Sequence, residues 1–445
     1  MTSVPDKRPY AVIVGLGRTG LSVARYLHAH GWRLAVTDTR AQPPQLASLG
    51  ALAAHIPVRT GGLDAALLQD ALCVVASPGV SLAEGFFAEA RRRGLSIVGD
   101  IELFARAANA PIAAVTGTNG KSTVTTLIAG MARRAGLAVC AGGNLGEPAL
   151  ELLKEGTALY VLELSSFQLE TATQLQCRAA TVLNVSPDHL DRYASIREYA
   201  QAKARIFARC DTAVINLDDP LVVAMPRAAP RTLSFSLRAA SGADYALATH
   251  QGARWLTRQG AALMPVAALK IKGLHNAANA LAALALGEAL ELPLPAMLSE
   301  LKEFAGLPHR SQWVAEVRGV AYINDSKGTN VGATLAAVGG LPGPLVMIGG
   351  GDGKNQDFAP LAAAFRGKVR HTVLIGRDAP LIAAALAGVC TLESCASLPE
   401  AVRAAARAAQ PGDTVLLSPA CASLDMFRDY TQRGAVFAQA VGELA

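Results

Sequence analysis

Short apolar runs that break off at glycine, serine or aspartate recur along the 445-residue chain, and helical patterns separate them. AVIVG (11–15), RLAVTD (33–38), LCVVASPG (72–79) and LSIVG (95–99) read as strands, with helices at Gly20–His30 and Phe86–Arg93. That rhythm predicts a parallel sheet with helical crossovers. A second series opens at PIAAVTG (111–117) and continues through ALYVLELS (158–165) and AATVLNVS (179–186). Residues 231–270 are more polar and strand-like, and NAANALAALALGEAL (276–290) is a strongly apolar helix. A third series comprises GVAYINDS (319–326), PLVMIGGG (344–351), HTVLIG (371–376) and DTVLLSP (413–419). A chain this long exceeds one hydrophobic core, so three α/β domains are expected, at 1–99, 100–306 and 307–445.

Bulk properties exclude several function classes. Hydrophobic residues make up 51% and charged residues 17%, the balance of a compact soluble protein. The net charge is +6, but the longest basic run, Arg91–Arg93, reads as a solvated helix end before Gly94. The excess is therefore assigned to small phosphate-bearing ligands, with no nucleic acid and no membrane insertion. The seven cysteines form no CxxC or metal-type spacing, which fits a reducing compartment. The stretch 281–298 carries Glu288, Glu291, Pro293 and Pro295, and is read as a buried helix and the turn after it. A cytoplasmic protein is expected.

The strongest motif is TGTNGKST, Thr116 to Thr123, between a strand and a helix. Its glycines let Gly117, Thr118, Asn119 and Gly120 bring backbone N–H groups to phosphate oxygens, and the helix adds its positive end. Lys121 would reach the outer phosphates, and Ser122 or Thr123 would hold magnesium. The strict phosphate-loop pattern wants glycine where Val115 stands, so the loop is a variant. GLGRTG, with Gly15, Gly17 and Gly20, opens the chain, and Asp38 ends the next strand about 20 residues on, where a ribose-binding acid usually sits. Alone this pair predicts a nicotinamide cofactor and a dehydrogenase; a diphosphate of a nucleotide sugar, or mere close packing, satisfies the glycines equally.

Glu163, at the end of LYVLE, stands where a magnesium carboxylate is needed opposite a phosphate loop. DHLDRY (188–193) follows another strand, with Lys203 downstream; its His189, flanked by two aspartates, reads either as a structural histidine or as part of the nucleotide site. Asn276 and Asn279, three apart on a helix, suit a base contact or a helix cap plus an exposed amide. LPHR (307–310), NDSKGTN (324–330), GGGDGKNQDF (349–358) and SPACASLDMFRDY (418–430) each place charged or hydroxyl groups near strand ends. Together they suggest a site for an anionic amino acid plus contacts to ATP.

In this order, and over essentially the whole chain, these motifs resemble the Mur ligase family, and within it the branch that adds D-glutamate. The resemblance implies a Rossmann-like N-terminal domain, a P-loop-type central ATPase domain and a Rossmann-like C-terminal domain. It implies that ATP activates the carboxylate of UDP-N-acetylmuramoyl-L-alanine for attack by D-glutamate, in a monomer that makes a peptidoglycan precursor. Gly15, Arg18, Thr19, Asp38, Thr39, Arg40, Gly79, Asn144 and His189 would contact the UDP substrate. Gly117 to Thr123, Asn276, Asn279, Arg310 and Asp325 would hold ATP. Lys121, His189, Lys203 and His309 would be catalytic. Ser122, Glu163, His189 and Lys203 would arrange Mg2+, two ions in the family, with Lys203 carbamylated. Lys327, Thr329, Lys354, Ser423, Leu424 and Tyr430 would receive glutamate. Two departures stand out: Tyr430 where some members carry Phe, and Gly328 where Ala is common. A degenerate, non-catalytic nucleotide-binding relative would show damage at Lys121, Glu163 or Lys203, and none is damaged. A ligase for another amino acid, including L-glutamate, is the alternative within the family.

Overall fold

Tyr10–Val14, the first apolar run, becomes the middle strand of a five-stranded parallel sheet. The computed structural model describes residues 8–271 and 273–444 and contains three sheets in chain order. In the first, the strands lie in the order Val58–Thr60, Arg33–Asp38, Tyr10–Val14, Cys73–Ala76, Ser96–Val98. Strand order reverses between Tyr10–Val14 and Cys73–Ala76, which opens a crevice outside their carboxyl ends. Gly20 makes the crevice possible: a Cβ there would lie 1.9 Å from the Gly15 carbonyl oxygen. Only glycine lets the helix Arg18–Ala29 start so close to the strand end.

The second sheet has nine strands. Ile112–Thr116 sits inside it, between Cys177–Val182 and Leu159–Glu163, with Val139–Gly143 at the edge. The polar segment supplies Arg231–Ser236, Tyr245–His250, Ala253–Arg258 and Ala261–Pro265, the last two pairing antiparallel. The helix Leu274–Ala289 is buried over this sheet and packs against the helix Lys121–Arg134. The stretch 281–298 corrects the expectation of one helix and a turn. The first helix stops at Ala289 and a second, Leu294–Glu303, begins inside the stretch with Pro295 in its first turn. There the missing proline N–H has no helical partner to lose. Among the described residues no helix is long and apolar enough to cross a membrane.

The third sheet runs Gln312–Val317, Val320–Asn324, Thr414–Leu417, Leu345–Gly350, Val369–Ile375, Thr391–Ser394, antiparallel only in its first pair. Gln312–Val317 and Thr391–Ser394 are not marked by the apolar pattern, because both are edge strands that remain partly wet. The loops at the carboxyl ends of this sheet face those of the central one. Arg310 reaches Ser122, and Lys354 reaches Asp188, across the boundary. Gly306, at φ +95°, makes the turn between the two domains. All seven cysteines are free.

Candidate active site

Thr116, the last residue of its strand, donates through its hydroxyl to the Leu164 carbonyl at 2.7 Å, tying two strand ends together. The chain then turns through Gly117 (φ +146°) and Gly120 (φ +85°), conformations that only glycine adopts without strain. Neighbouring loops brace the turn. Asn119 N–H donates to Asn184 Oδ1 at 2.8 Å, and Asn184 Nδ2 returns a bond to the Asn119 carbonyl at 3.0 Å. Val115 is buried in the strand, and the first glycine of the loop, Gly117, stands two residues after the place where the strict pattern has one. Lys121 folds back onto the Gly117 and Thr118 carbonyls, both at 2.9 Å. Burial, with Arg310 and Lys354 nearby, lowers its pKa despite Glu163 and Asp188.

At the helix start, the Ser122 hydroxyl lies 2.5 Å from Glu163 Oε2 and accepts from Arg310 Nη2 at 2.7 Å. Burial alone would raise the Glu163 pKa. Lys121, the Ser122 and Asn144 hydrogen bonds, and Arg310 outweigh that, and the carboxylate stays ionised with a lowered pKa. Lys203 is buried, donates to the Gly117 carbonyl at 3.0 Å, and lies 4.3 Å above the Tyr199 ring. Burial, then Lys121, drives its pKa well below the usual lysine value. His189 packs its ring against Phe167 at 5.0 Å, and burial takes its pKa to about 4, so the imidazole is neutral.

Glu163 and Ser122 present hard oxygen donors beside a phosphate loop. That set fits Mg2+, which keeps waters and phosphate oxygens rather than requiring a full protein cage.

A pocket beside the loop is lined by Asn119, Gly120, Thr123, Asn276, Asn279, Arg310 and Asp325, all expected from the sequence. It also holds Asn184, Phe235, His275 and Ser311, which the sequence reading did not mark. Asn276 and Asn279 are neither cap nor exposed amide: Gly273 is the helix N-cap, and Asn279 Nδ2 donates to Asn276 Oδ1 at 3.2 Å in a buried pair. Asp325 accepts from Ser418 and from the Ser311 N–H, and burial lifts its pKa to about 6. A Cβ on Gly328 would lie 2.7 Å from both Asp325 Oδ2 and Ser418 Oγ, so glycine here matches a close approach.

Across the boundary, Lys327 lies 3.9 Å over the Tyr430 ring, and burial lowers its pKa to about 7. Lys354 pairs with Asp188, while Ser423 is buried and Leu424 largely exposed. Thr329 closes a tight turn on the Lys327 carbonyl. His309 is engaged within its own domain: Nδ1 accepts from Asn324 Nδ2 at 3.1 Å, and its carbonyl accepts from Lys327 N–H. It supports the Lys327 loop.

A cleft at the first sheet's crevice is lined by Gly15, Arg18, Thr19, Asp38, Thr39, Arg40, Gly79 and Asn144, joined by Ser77 and Gln168. Asp38 is not an open acceptor. One oxygen takes the Leu16 N–H at 2.6 Å and Arg40 Nη2 at 2.7 Å; the other takes Arg40 N–H and Nε. Arg18 donates to the Gly146 carbonyl at 2.9 Å, so the cleft is shared with the central domain.

Family descriptions match all three parts. The Mur ligase MurD-like N-terminal domain matches residues 9–99, the Mur ligase middle domain 115–287, and the Mur ligase glutamate ligase domain 309–421. The chain belongs to the Mur ligase family. Among curated relatives, the UDP-N-acetylmuramoylalanine–D-glutamate ligase of Nitrosococcus oceani is 52% identical, over 99% of this chain and 98% of that protein. The protein of the same name from Pseudomonas aeruginosa is 51% identical, over 98% of each. The solved UDP-N-acetylmuramate-alanine ligase of Thermotoga maritima covers 98% of this chain and all of that one, at a TM-score of 0.63 and 20% identity, a likeness of fold. In this Mur ligase, residues the sequence reading left out, such as Asn184, Asn330 and Gln168, carry a recognisable signal only in retrospect. Asn184 lies just past the strand Cys177–Val182, Gln168 lies in the short helix Ser166–Leu169, and Asn330 caps the helix Val331–Gly340.

Proposed function

We propose that this Mur ligase joins D-glutamate to UDP-N-acetylmuramoyl-L-alanine at the expense of ATP, a cytoplasmic step toward peptidoglycan carried out by a monomer. The carrying observation is the meeting of the Lys121 phosphate loop with Arg310, Lys327 and Lys354 of the facing domain, beside a separate diphosphate-sized cleft. Relatives of this chain named for that reaction match it from end to end. A dehydrogenase is disfavoured by Asp38, whose oxygens serve Leu16 and Arg40 and leave no open acceptor for a ribose diol.

A carboxylate does not form an amide at neutral pH without activation. The γ-phosphoryl of ATP passes to the alanyl carboxylate, giving an acyl phosphate and ADP. The glutamate amine then attacks that carbonyl, and the tetrahedral adduct expels phosphate. Lys121 offsets charge on the transferred group, the loop N–H groups hold the β-phosphate side, and Arg310 closes from above. Asn276, Asn279 and Asp325 hold the nucleoside end. Gly15, Arg18, Thr19, Thr39, Arg40, Gly79 and Asn144 hold the uridine diphosphate sugar, and Lys327, Thr329, Lys354, Ser423, Leu424 and Tyr430 receive glutamate. Much of the gain comes from positioning three ligands drawn from three domains.

Magnesium, two ions on this reading, would be held by Ser122, Glu163, His189 and Lys203, and supplies charge neutralisation on the phosphate oxygens. An ammonium at Lys203 would repel it. Burial favours the neutral amine, which adds CO2 and releases a proton to give an anionic carbamate, and that charge suits the site.

Phosphate release by the pure protein with ATP, magnesium and UDP-N-acetylmuramoyl-L-alanine tests the reading, comparing D-glutamate with L-glutamate and other amino acids. Turnover with D-glutamate is expected; no turnover with any amino acid would overturn the assignment.

A further inference from the structure

An amino acid entering this site carries two carboxylates and an ammonium, and each needs a buried partner. The lysines answer the carboxylates. For the ammonium, the acids near the phosphate loop are Glu163, Asp325 and Asp188. Glu163 is engaged by Ser122 and Asn144, and Asp325 by Ser418 and the Ser311 N–H. Asp188 differs. It is buried on the central domain, yet two side chains of the facing domain grip it: Lys354 Nζ on one oxygen and Asn330 Nδ2, at 3.2 Å, on the other.

Both partners are rigidly presented. The Asp188 Oδ1 also accepts the His189 N–H at 2.9 Å, which fixes the carboxylate. Lys354 rides on a braced loop: its own N–H donates to Asp352 Oδ1 at 3.0 Å, and Gly353 N–H to Asp378 Oδ2 at 2.7 Å. Lys354 has a left-handed φ of +51°, a conformation such a residue adopts only where surroundings enforce it. Its ammonium meets Asp188, which thus occupies the place that the glutamate reading gives to a ligand carboxylate.

We propose that Asp188 is the substrate-ammonium site, and that glutamate enters by exchange of ion pairs. The glutamate carboxylate takes Lys354, and the released Asp188 takes the glutamate ammonium. Two ion pairs then stand where one stood, and the second glutamate carboxylate falls to Lys327. Neither Lys354 nor Asp188 is thus left as an unpaired buried charge once glutamate is bound, which is the costly outcome in such a site. The exchange places the amine beside His189 and Lys121, where the acyl phosphate forms. This rests on the glutamate reading and deepens it: a ligand with two carboxylates but no ammonium can satisfy Lys354 only by stranding Asp188.

The test is equilibrium binding of D-glutamate and of glutarate, which lacks the amine. The full chain is saturated with β,γ-methylene ATP, magnesium and UDP-N-acetylmuramoyl-L-alanine. The wild type should bind glutamate about tenfold or more tighter than glutarate, the worth of one charged hydrogen bond. In Asp188→Asn that preference should collapse, with glutamate weakened and glutarate unchanged or tighter. The ratio within each protein is insensitive to any loss of folded material. Equal weakening of both acids, or an undiminished preference, overturns the exchange while leaving the glutamate reading standing. A wild type that binds neither acid overturns the glutamate reading and the exchange with it.

Discussion

Asn144 Nδ2 donates a 2.7 Å hydrogen bond to Glu163 Oε1, so a residue lining the cleft of the first sheet holds the carboxylate beside the phosphate loop. The loop geometry makes this possible: Asn144 N–H also donates to the Glu163 carbonyl, and Gly143, at φ +99°, packs against the same strand end. The cleft and the phosphate loop share one wall.

That wall gives Asn144→Ala an unusual signature. A partner that orients a metal carboxylate is worth roughly 10–100-fold in metal affinity. Phosphate release by the variant should require correspondingly more magnesium for half-maximal rate, alongside a raised KM for the UDP substrate. A raised KM with an unchanged magnesium requirement would show that Asn144 serves the sugar side alone.

Lys203→Ala should abolish turnover, and a short carboxylic acid such as acetate should restore part of it. The restored fraction should depend on acid concentration and saturate. Lys203 sits in a buried pocket between the Gly117 carbonyl and the Tyr199 ring, a space that the truncation vacates. No recovery at any acid concentration would argue against an anionic group at that place.

Glycine positions in the first crevice separate packing from recognition. In Gly20→Ala the new methyl would meet the Gly15 carbonyl, so stability should fall by about 1–3 kcal/mol, the usual cost of overpacking. In Gly17→Ala nothing lies within 4 Å of the added carbon, so stability should hold while affinity for the UDP substrate drops. Thermal melting with substrate titration distinguishes them; equal melting points would refute the packing argument.

Asp100 is buried at the start of the helix Asp100–Ala107 and accepts from Gln168 Nε2 at 3.0 Å. Burial raises its pKa from 3.8 to about 6. A raised carboxyl favours the protonated folded form, so its stabilising contribution is fully present below about pH 4 and is lost as pH rises through about 6. Asp100→Asn should therefore melt close to wild type at pH 4 and above it at pH 7.5, by up to about 3 kcal/mol. A variant less stable than wild type at pH 7.5 would contradict this.

Local signals were legible wherever the backbone itself makes the site. The phosphate loop, Glu163 at its strand end and the GLGRTG turn are each built from residues adjacent in sequence. Asn119, Gly120 and Thr123 line one pocket, Gly15 and Gly17 line another, and Glu163 ends its strand beside Ser122. Asn276 and Asn279 were legible as a pair, but their burial and mutual hydrogen bond were not, because the sheet that covers them is contributed by distant strands. The second helix at Leu294 was hidden for the opposite reason: proline breaks a helix interior yet starts a helix well, and composition alone does not say which.

The order of apolar runs, and the glycines that end them, determined from sequence alone that three parallel-sheet domains would form and which carried phosphate chemistry. Partners that cross domain boundaries were decided by the tertiary structure: Ser122 with Arg310, Asp188 with Lys354, Asn119 with Asn330. Those residues lie between 166 and 211 positions apart, and a charge that far along the chain has no periodicity to betray it. Its partner exists only once two folded surfaces meet and exclude the water that would otherwise satisfy both.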